Sequence, residues 1–326
     1  MDLSIAVITY NHAEYIRRAL DSILSQNTTY TYEIVVGDDC SSDGTTSVLE
    51  EYANDYPNVV RLLKRKSNLG ATGNLFDVIT HCKGKYLAIL DGDDFYTDNN
   101  KIQTQIDFLM NNSQFSSCAH RLEIVDKQEK HLIYTLSDLV LDCPIGQREF
   151  NRYNTDILHI NSLMFDNIFK KDKNKLIAMC EASSYSIHSM LLLFLLEKSD
   201  IYVFSKAMTA WRCVKEVGSL NYTSQAPTQS TKINIDKLML YRYEKDYFCN
   251  SLTKINFNKL LAKGYFDCLH SLDIHDQNYS KQKQEILSCI NLGERFYAYF
   301  VYLPCTCLSP AITLLKKAIK KLLISK

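Results

Sequence analysis

The chain is poor in the residues that interrupt regular structure, with 5 prolines and 10 glycines in 326 residues. So few exclude collagen-like and low-complexity disordered classes, and no internal repeat points to a solenoid. Net charge is also missing: 37 basic residues balance 37 acidic ones, which leaves no electrostatic footprint for nucleic acid. The 11 cysteines form no Cys-x-x-Cys pair, and neither they nor the 8 histidines fall at zinc-ligand spacings. Reduced thiols are expected. The N-terminus carries Asp2 and turns polar by Tyr10, unlike a signal peptide or a membrane anchor, so the expected location is the cytoplasm. The length suits one large domain and a smaller appendage.

What the chain does have is alternation. Leu3 to Thr9 is a short apolar run with β-branched residues, which reads as a buried parallel strand, and Tyr10-Asn11-His12 reads as a turn. Ile16, Ala19, Leu20, Ile23 and Leu24 then form one helical stripe. A strand over Glu33 to Gly37 leads into Asp38-Asp39-Cys40-Ser41-Ser42-Asp43-Gly44, whose Ser42 and Asp43 suit a helix cap. The next helix carries Val48, Leu49, Tyr52, Ala53 and Tyr56 on one face. Val59 to Leu63 is a strand, Leu75, Val78, Ile79 and Cys82 mark a helix, and Tyr86 to Leu90 is another strand. Strand alternating with helix predicts right-handed crossovers and a mainly parallel α/β sheet covered on both faces.

That last strand runs directly into Asp91-Gly92-Asp93-Asp94. Three crowded carboxylates repel one another, and a fold keeps them either in a solvated turn or around a cation. Oxygen ligands suit Mg²⁺ or Mn²⁺, whose shell is completed by phosphate oxygens of a substrate. In a parallel sheet ligands bind beyond the carboxyl ends of the strands, where Thr9 to Asn11, Asp38, Asp39 and Asp91 to Asp94 all lie. A dinucleotide site is disfavoured, because Thr9-Tyr10-Asn11-His12 has no Gly-x-Gly-x-x-Gly.

In these segments, with Ser22 to Gln26, Asn68-Leu69-Gly70 and Lys83-Gly84-Lys85-Tyr86 between them in order, the chain resembles the family 2 glycosyltransferases of the GT-A fold. The resemblance covers about the first third of the sequence. It implies a nucleotide-diphosphosugar donor and transfer with inversion at the anomeric carbon. It places Thr9 and Asp39 against the base, Asp93 near the ribose or donor sugar, and Asp94 with Asp93 on Mn²⁺ or Mg²⁺. Tyr10 offers a face for the base to stack on, and Asn11, Asp38, Gly70 and Asp91 complete the donor side. A carboxylate at Asp39 can accept a hydrogen bond from the ring N–H of uracil or thymine, which cytosine lacks, so a UDP- or dTDP-sugar is expected.

The chain departs from the family where a catalytic carboxylate is expected, since it reads Ser183 to Ser189 there. His188 falls nearest that position before the helix Met190 to Leu196 and the strand Ile201 to Phe204, and imidazole can act as a general base. Glu181 is the nearest acid, and Asp93 is the third catalytic candidate. His159, in the stretch Asn151 to Phe169, is expected near the acceptor unless that stretch is one more strand. Trp211 and Arg212 match an aromatic-Arg pair, with Arg212 suited to diphosphate; the loop Lys215 to Ser219 follows.

A polar break with Pro227 separates a catalytic region, 1–222, from a helical region, 223–326. The first is read as a nucleotide-sugar half to about residue 100 and an acceptor half beyond. In the second, Ile235 to Phe248, Phe257 to Leu272 and Lys281 to Leu292 are helical in pattern. After Glu294 there is no acidic residue, and Ala311 to Ile324 is a basic amphipathic helix by pattern. It suits either an anionic leaflet, on the inner face of the plasma membrane, or packing on its own domain. Phe296 to Leu315 carries no charge, but Pro304 and Pro310 disfavour a spanning helix. The function these readings point to is a metal-dependent glycosyltransferase acting on a surface glycan, lipid-linked in the growing state. A non-catalytic nucleotide-sugar binder and a sugar-phosphate nucleotidyltransferase are the rivals, and a homo-oligomer is left open.

Overall fold

The structure, a computed structural model, describes residues 1–132, 141–153, 158–183, 188–214, 230–273 and 275–302. The chain divides into two compact units, Met1–Thr228 and Gln229–Lys326, a few residues beyond the break read from sequence. The loop 215–219 and the basic segment 311–324 lie outside the described residues.

The first unit is built on one nine-stranded sheet. Its strands are β1 (Leu3–Thr9), β2 (Tyr32–Asp38), β3 (Val60–Lys64), β4 (Tyr86–Asp91), β5 (Phe95–Tyr96), β6 (Ser117–Val125), β7 (Cys143–Ile145), β8 (Met164–Asp166) and β9 (Ile201–Arg212). The order is β3-β2-β1-β4-β8-β6-β9-β5, with β7 on β9. The first four are parallel, as the alternation predicts. From β8 onward the sheet is mixed: β8 runs antiparallel to both β4 and β6, while β6 and β9 are parallel. The two halves read from sequence therefore share one sheet across the β4–β8 pairing.

Alternate residues of the parallel strands serve opposite faces. Leu3, Ile5, Val7, Ile34, Val36, Ala88 and Leu90 join a core with helices α1 (Ile16–Leu24), α2 (Thr45–Asp55) and α4 (Lys101–Asn111). Helix α3 (Gly70–His81) covers the other face. It approaches so closely that a Cβ at Gly37 would collide with Asn74 and Val78. Tyr56, expected on the buried face of α2, is 43 % exposed, because the helix ends at Asp55 and the stripe loses its register there. The rest of the unit adds α5 (Gln147–Tyr153), α6 (Ile168–Lys171), α7 (Lys173–Ala182) and the apolar α8 (His188–Lys198). All of Met190 to Leu196 is buried in α8.

The second unit contains α9 (Ser230–Phe248), α10 (Phe257–Ser271), α11 (Tyr279–Ser288) and α12 (Leu292–Tyr297). The third helix read from sequence, Lys281 to Leu292, ends at Ser288, and Asn291 starts a further helix with a capping box to Glu294. Among the described residues no helix is long and apolar enough to cross a membrane. Glu294 is buried and accepts from Arg242, Lys245 and the Asn291 N–H. Burial alone would raise its carboxyl, yet these partners bring it from 4.5 down to about 2. A pKa lowered by folding stabilises the fold above the unfolded value and ceases to do so as pH falls through the folded one. Glu294→Gln is therefore expected to destabilise this unit at pH 7 by about 1–3 kcal/mol. In thermal unfolding the gap to wild type should narrow as pH drops from 4.5 towards about 2. A gap independent of pH would remove the carboxylate charge from the explanation.

Candidate active site

Three neighbouring strands end side by side, and their loops are bonded together. Asp39 N donates to Thr9 O at 3.0 Å and Gly92 N to Ile8 O at 2.8 Å, so the ends of β1, β2 and β4 form one rim. The loops after β1 and β2 are laced by Asn11 N to Ser41 Oγ (2.9 Å), Ser42 N to Asn11 Oδ1 (2.8 Å), His12 N to Thr45 Oγ1 (2.9 Å) and Ala13 N to Asp43 Oδ2 (2.9 Å). Asn11 and Cys40 sit at φ of 55° and 67°, a left-handed conformation that concentrates at functional turns. Asp43 also accepts from Thr45 N at 3.0 Å, a local turn ahead of the helix; the N-cap itself is Gly44, with no side-chain cap, rather than the expected Ser42 or Asp43.

On this rim Asp39 is buried, and its Oδ1 accepts from Leu69 N at 2.7 Å. Burial raises its pKa, against the pull of the Leu69 and Gly70 N–H groups. Gly70 opens α3 at φ +76°, a conformation rather than a lack of space that calls for glycine. Thr9 is buried and its hydroxyl has no hydrogen-bond partner among the described residues. Tyr10 is 38 % exposed at the strand end. A Cβ at Gly92 would lie 2.8 Å from Thr9 Oγ1 and 3.1 Å from His12 Nδ1, so the acidic turn packs directly on the loop after β1.

The acidic turn is electrostatically loaded. Burial and then Asp93 push the Asp91 carboxyl up to about 7, and burial, Asp93 and Asp91 together raise Asp94 well above the carboxylate range. His12 Nε2 stands 3.9 Å from Asp93 Oδ2. Asp94 is turned inward. Its Oδ1 accepts from Arg212 N at 2.7 Å, and its Oδ2 from Asn161 Nδ2, which also donates to Asp91 Oδ2 at 3.1 Å.

Asn161 belongs to the 3-10 turn Ile160–Ser162, whose first flanking residue is His159. The His159 ring meets His188 edge to face at 5.3 Å between centroids and lies 5.4 Å from Trp211. Burial and the neighbouring His188 push His159 down to about 3, so it is neutral near pH 7. One short turn thus joins the acidic cluster to the histidine pair.

Glycosyl transferase family 2 matches this chain over residues 4–172, more than half of its length. The chain belongs to glycosyl transferase family 2. Uncharacterized protein Rv1520 of Mycobacterium tuberculosis is 37 % identical over 123 residues, 38 % of this chain and 36 % of that protein. TuaG of Bacillus subtilis, named for teichuronic acid biosynthesis, is 30 % identical over 111 residues, 34 % of this chain and 43 % of that protein. The match thus spans under half the length of these curated relatives. S. aureus TarS 1-349, solved with UDP-GlcNAc, superposes with a TM-score of 0.67 at 15 % identity, covering 98 % of this chain and 92 % of that one. Its complex with UDP gives 0.62 at 16 %, covering 98 % and 88 %. These likenesses show a shared GT-A fold.

In this member of glycosyl transferase family 2 the structure brings Thr9, Tyr10, Asn11, Asp39, Gly70, Asp91 and Asp93 to one rim, but four expected roles change. Asp38 faces its own turn: Oδ1 accepts from Ser41 N and Oγ and Oδ2 from Thr46 Oγ1, so it braces the loop instead of meeting a donor. Arg212 does not reach for diphosphate. Its guanidinium is buried, donating to Asp93 O (3.0 Å), Lys127 O (3.0 Å) and Glu129 Oε1 (3.0 Å), over the Tyr15 ring at 4.8 Å. Asp94, expected on the ion, has both oxygens engaged within the protein. Glu181 is exposed on the last turn of α7, a poor place for a base that must work away from water. His12 and Asn161 are contributors that residue patterns did not single out; for His12 the signal was its place in the loop after β1, and for Asn161 there was none.

The acidic turn supplies oxygen donors, the ligand type that Mg²⁺ and Mn²⁺ take. Burial and then the neighbouring Asp93 raise Asp91, and a positive charge beside the pair would relieve both effects. Among the described residues no three His, Cys, Asp or Glu side chains converge in a metal-ligating cage. Mg²⁺ is commonly held this way, by one or two carboxylates and substrate phosphates.

Proposed function

We propose that the chain transfers a sugar, with inversion, from a UDP- or dTDP-linked donor to a hydroxyl of a cell-surface glycan, using Asp93 and Asp91 to hold the cation. The observation that carries the reading is the bonded rim of Thr9, Asp39 and the acidic turn at the ends of adjacent parallel strands, where such sheets bind nucleotides. Support comes from TarS, solved with UDP and UDP-GlcNAc on the same fold, and for the glycan from the name of TuaG.

In this reading Asp39 accepts the ring N–H of the base and Tyr10 presents its exposed face for stacking. The bound cation would offset the charge developing on the departing diphosphate. His188 takes the proton of the acceptor hydroxyl as its oxygen bonds to the anomeric carbon from the side opposite the leaving diphosphate. His159, kept neutral, packs against His188 and fixes its ring without adding a competing charge.

Asp39→Asn keeps the shape and loses the charge. It should weaken UDP binding by about 1.5–3 kcal/mol, the worth of a hydrogen bond to a charged group. Calorimetry that found equal affinity would take Asp39 out of the base pocket. The proposal as a whole is tested by thermal unfolding against a panel of nucleotide sugars with Mn²⁺, since a ligand of the native state raises its apparent stability. Protection by UDP- or dTDP-sugars with donor turnover supports it; protection without hydrolysis or transfer indicates a binder, and equal protection by CDP-sugars refutes the base assignment.

A further inference from the structure

Asn161 is fully buried, and its amide faces two carboxylates at once. Its Oδ1 is also buried and accepts no hydrogen bond among the described residues. Its Nδ2 faces the Asp91 and Asp94 carboxyls, an orientation that suits both of them in the charged form a bound cation would impose and that leaves Oδ1 as the unsatisfied atom. The residue is held from behind independently of them. Its N–H donates to His159 Nδ1 at 3.3 Å, and its carbonyl accepts from Thr209 Oγ1 on β9 at 3.4 Å.

We propose that Asn161 is a positioning residue for the cation, its NH₂ group holding Asp91 and Asp94 so that Asp93 and Asp91 present their oxygens to Mn²⁺ or Mg²⁺. This rests on the reading of the acidic turn as the cation site. With a cation bound and the three carboxyls charged, the like charges on one turn repel one another unless something restrains them. An amide is the neutral side chain with two hydrogens on one atom, one for each carboxylate; a hydroxyl offers one, and an ammonium or guanidinium would add a charge that competes with the ion. Partners that orient a metal's ligands commonly change its affinity ten- to a hundredfold when removed.

The test is Mn²⁺ titration of the full chain by calorimetry, with UDP affinity measured separately in chelator. Asn161→Ala should bind Mn²⁺ about tenfold more weakly while its metal-free UDP affinity stays at the wild-type value. Unchanged Mn²⁺ affinity overturns the proposal, and so does a parallel loss of metal-free UDP binding, which would show a general collapse of the rim. If Asn161→Ala does not fold, Thr209→Val, close to threonine in shape, removes the anchor of the Asn161 carbonyl together with the Thr209 Oγ1 contact to His120 Nε2 at 3.3 Å, without touching either carboxylate. It should give a smaller but measurable drop in Mn²⁺ affinity, and no drop overturns the proposal. Wild-type protein that binds no Mn²⁺ brings down the cation reading itself, whereas wild-type binding matched by Asn161→Ala brings down the role of Asn161 alone.

Discussion

Asp93→Ala should abolish Mn²⁺-stimulated sugar transfer, lowering the rate by about 10³-fold, while the protein remains folded. The size follows from losing a cation worth several kcal/mol to the departing diphosphate. Asp93 is chosen over Asp94 because Asp94 is clamped by Arg212 N and Asn161, whereas Asp93 Oδ2 lies towards His12 in the loop after β1. Asp93 also raises the carboxyls of both Asp91 and Asp94. Its removal should therefore make the cation-free protein slightly more resistant to heat at neutral pH, a gain that Asp93→Asn would share. Rate measurements over a Mn²⁺ series and thermal unfolding in chelator check both halves. Transfer at the wild-type rate would put the cation elsewhere.

His188→Gln is expected to cut the transfer rate by about 10²–10⁴-fold, the usual contribution of a positioned general base. Donor affinity should hardly change, since the residue lies on the His159 and Trp211 side of the 3-10 turn and not on the Asp39 rim. Pre-steady-state turnover with a UDP-sugar and a soluble acceptor separates the two quantities. A variant with unimpaired turnover would remove His188 from the role of base. Because His159 is pushed down to about 3, its own titration falls far below the working range and leaves the rate profile near neutrality to other groups.

Much of the nucleotide half was legible from residue order. Strands β1 to β4 are continuous apolar runs because both faces of a parallel sheet are covered, and such runs bounded by turn residues are visible without partners. The ends of those strands carry Thr9, Asp39 and the acidic turn, and the rule that ligands gather at carboxyl ends places them together from sequence order alone. The half beyond residue 100 was harder. Strand β8 has 3 residues, too few for a period to declare itself, and it reaches β4 across a separation of about eighty positions that no local pattern encodes. Of the long β9 only Ile201 to Phe204 shows a strand pattern in sequence, since its later residues follow register shifts near His120 and Arg121 that break the alternation.

Residue identity alone determined that this chain folds as a strand–helix alternation and carries an acidic turn at the end of a buried strand, because both are consequences of short-range periodicity and charge. Which carboxylate faces outward was decided only by tertiary structure. Asp38, Asp94 and Arg212 have the chemistry of ligand-binding groups, and each is instead consumed within the protein: Asp38 by Ser41 and Thr46 in its own turn, Asp94 by the sequence-distant Asn161 and Arg212, and Arg212 by the 126–129 turn. A buried charged or polar group must find hydrogen-bond partners wherever the fold puts them. The sequence shows the supply of such groups, and only the three-dimensional neighbours show which of them remain for a substrate.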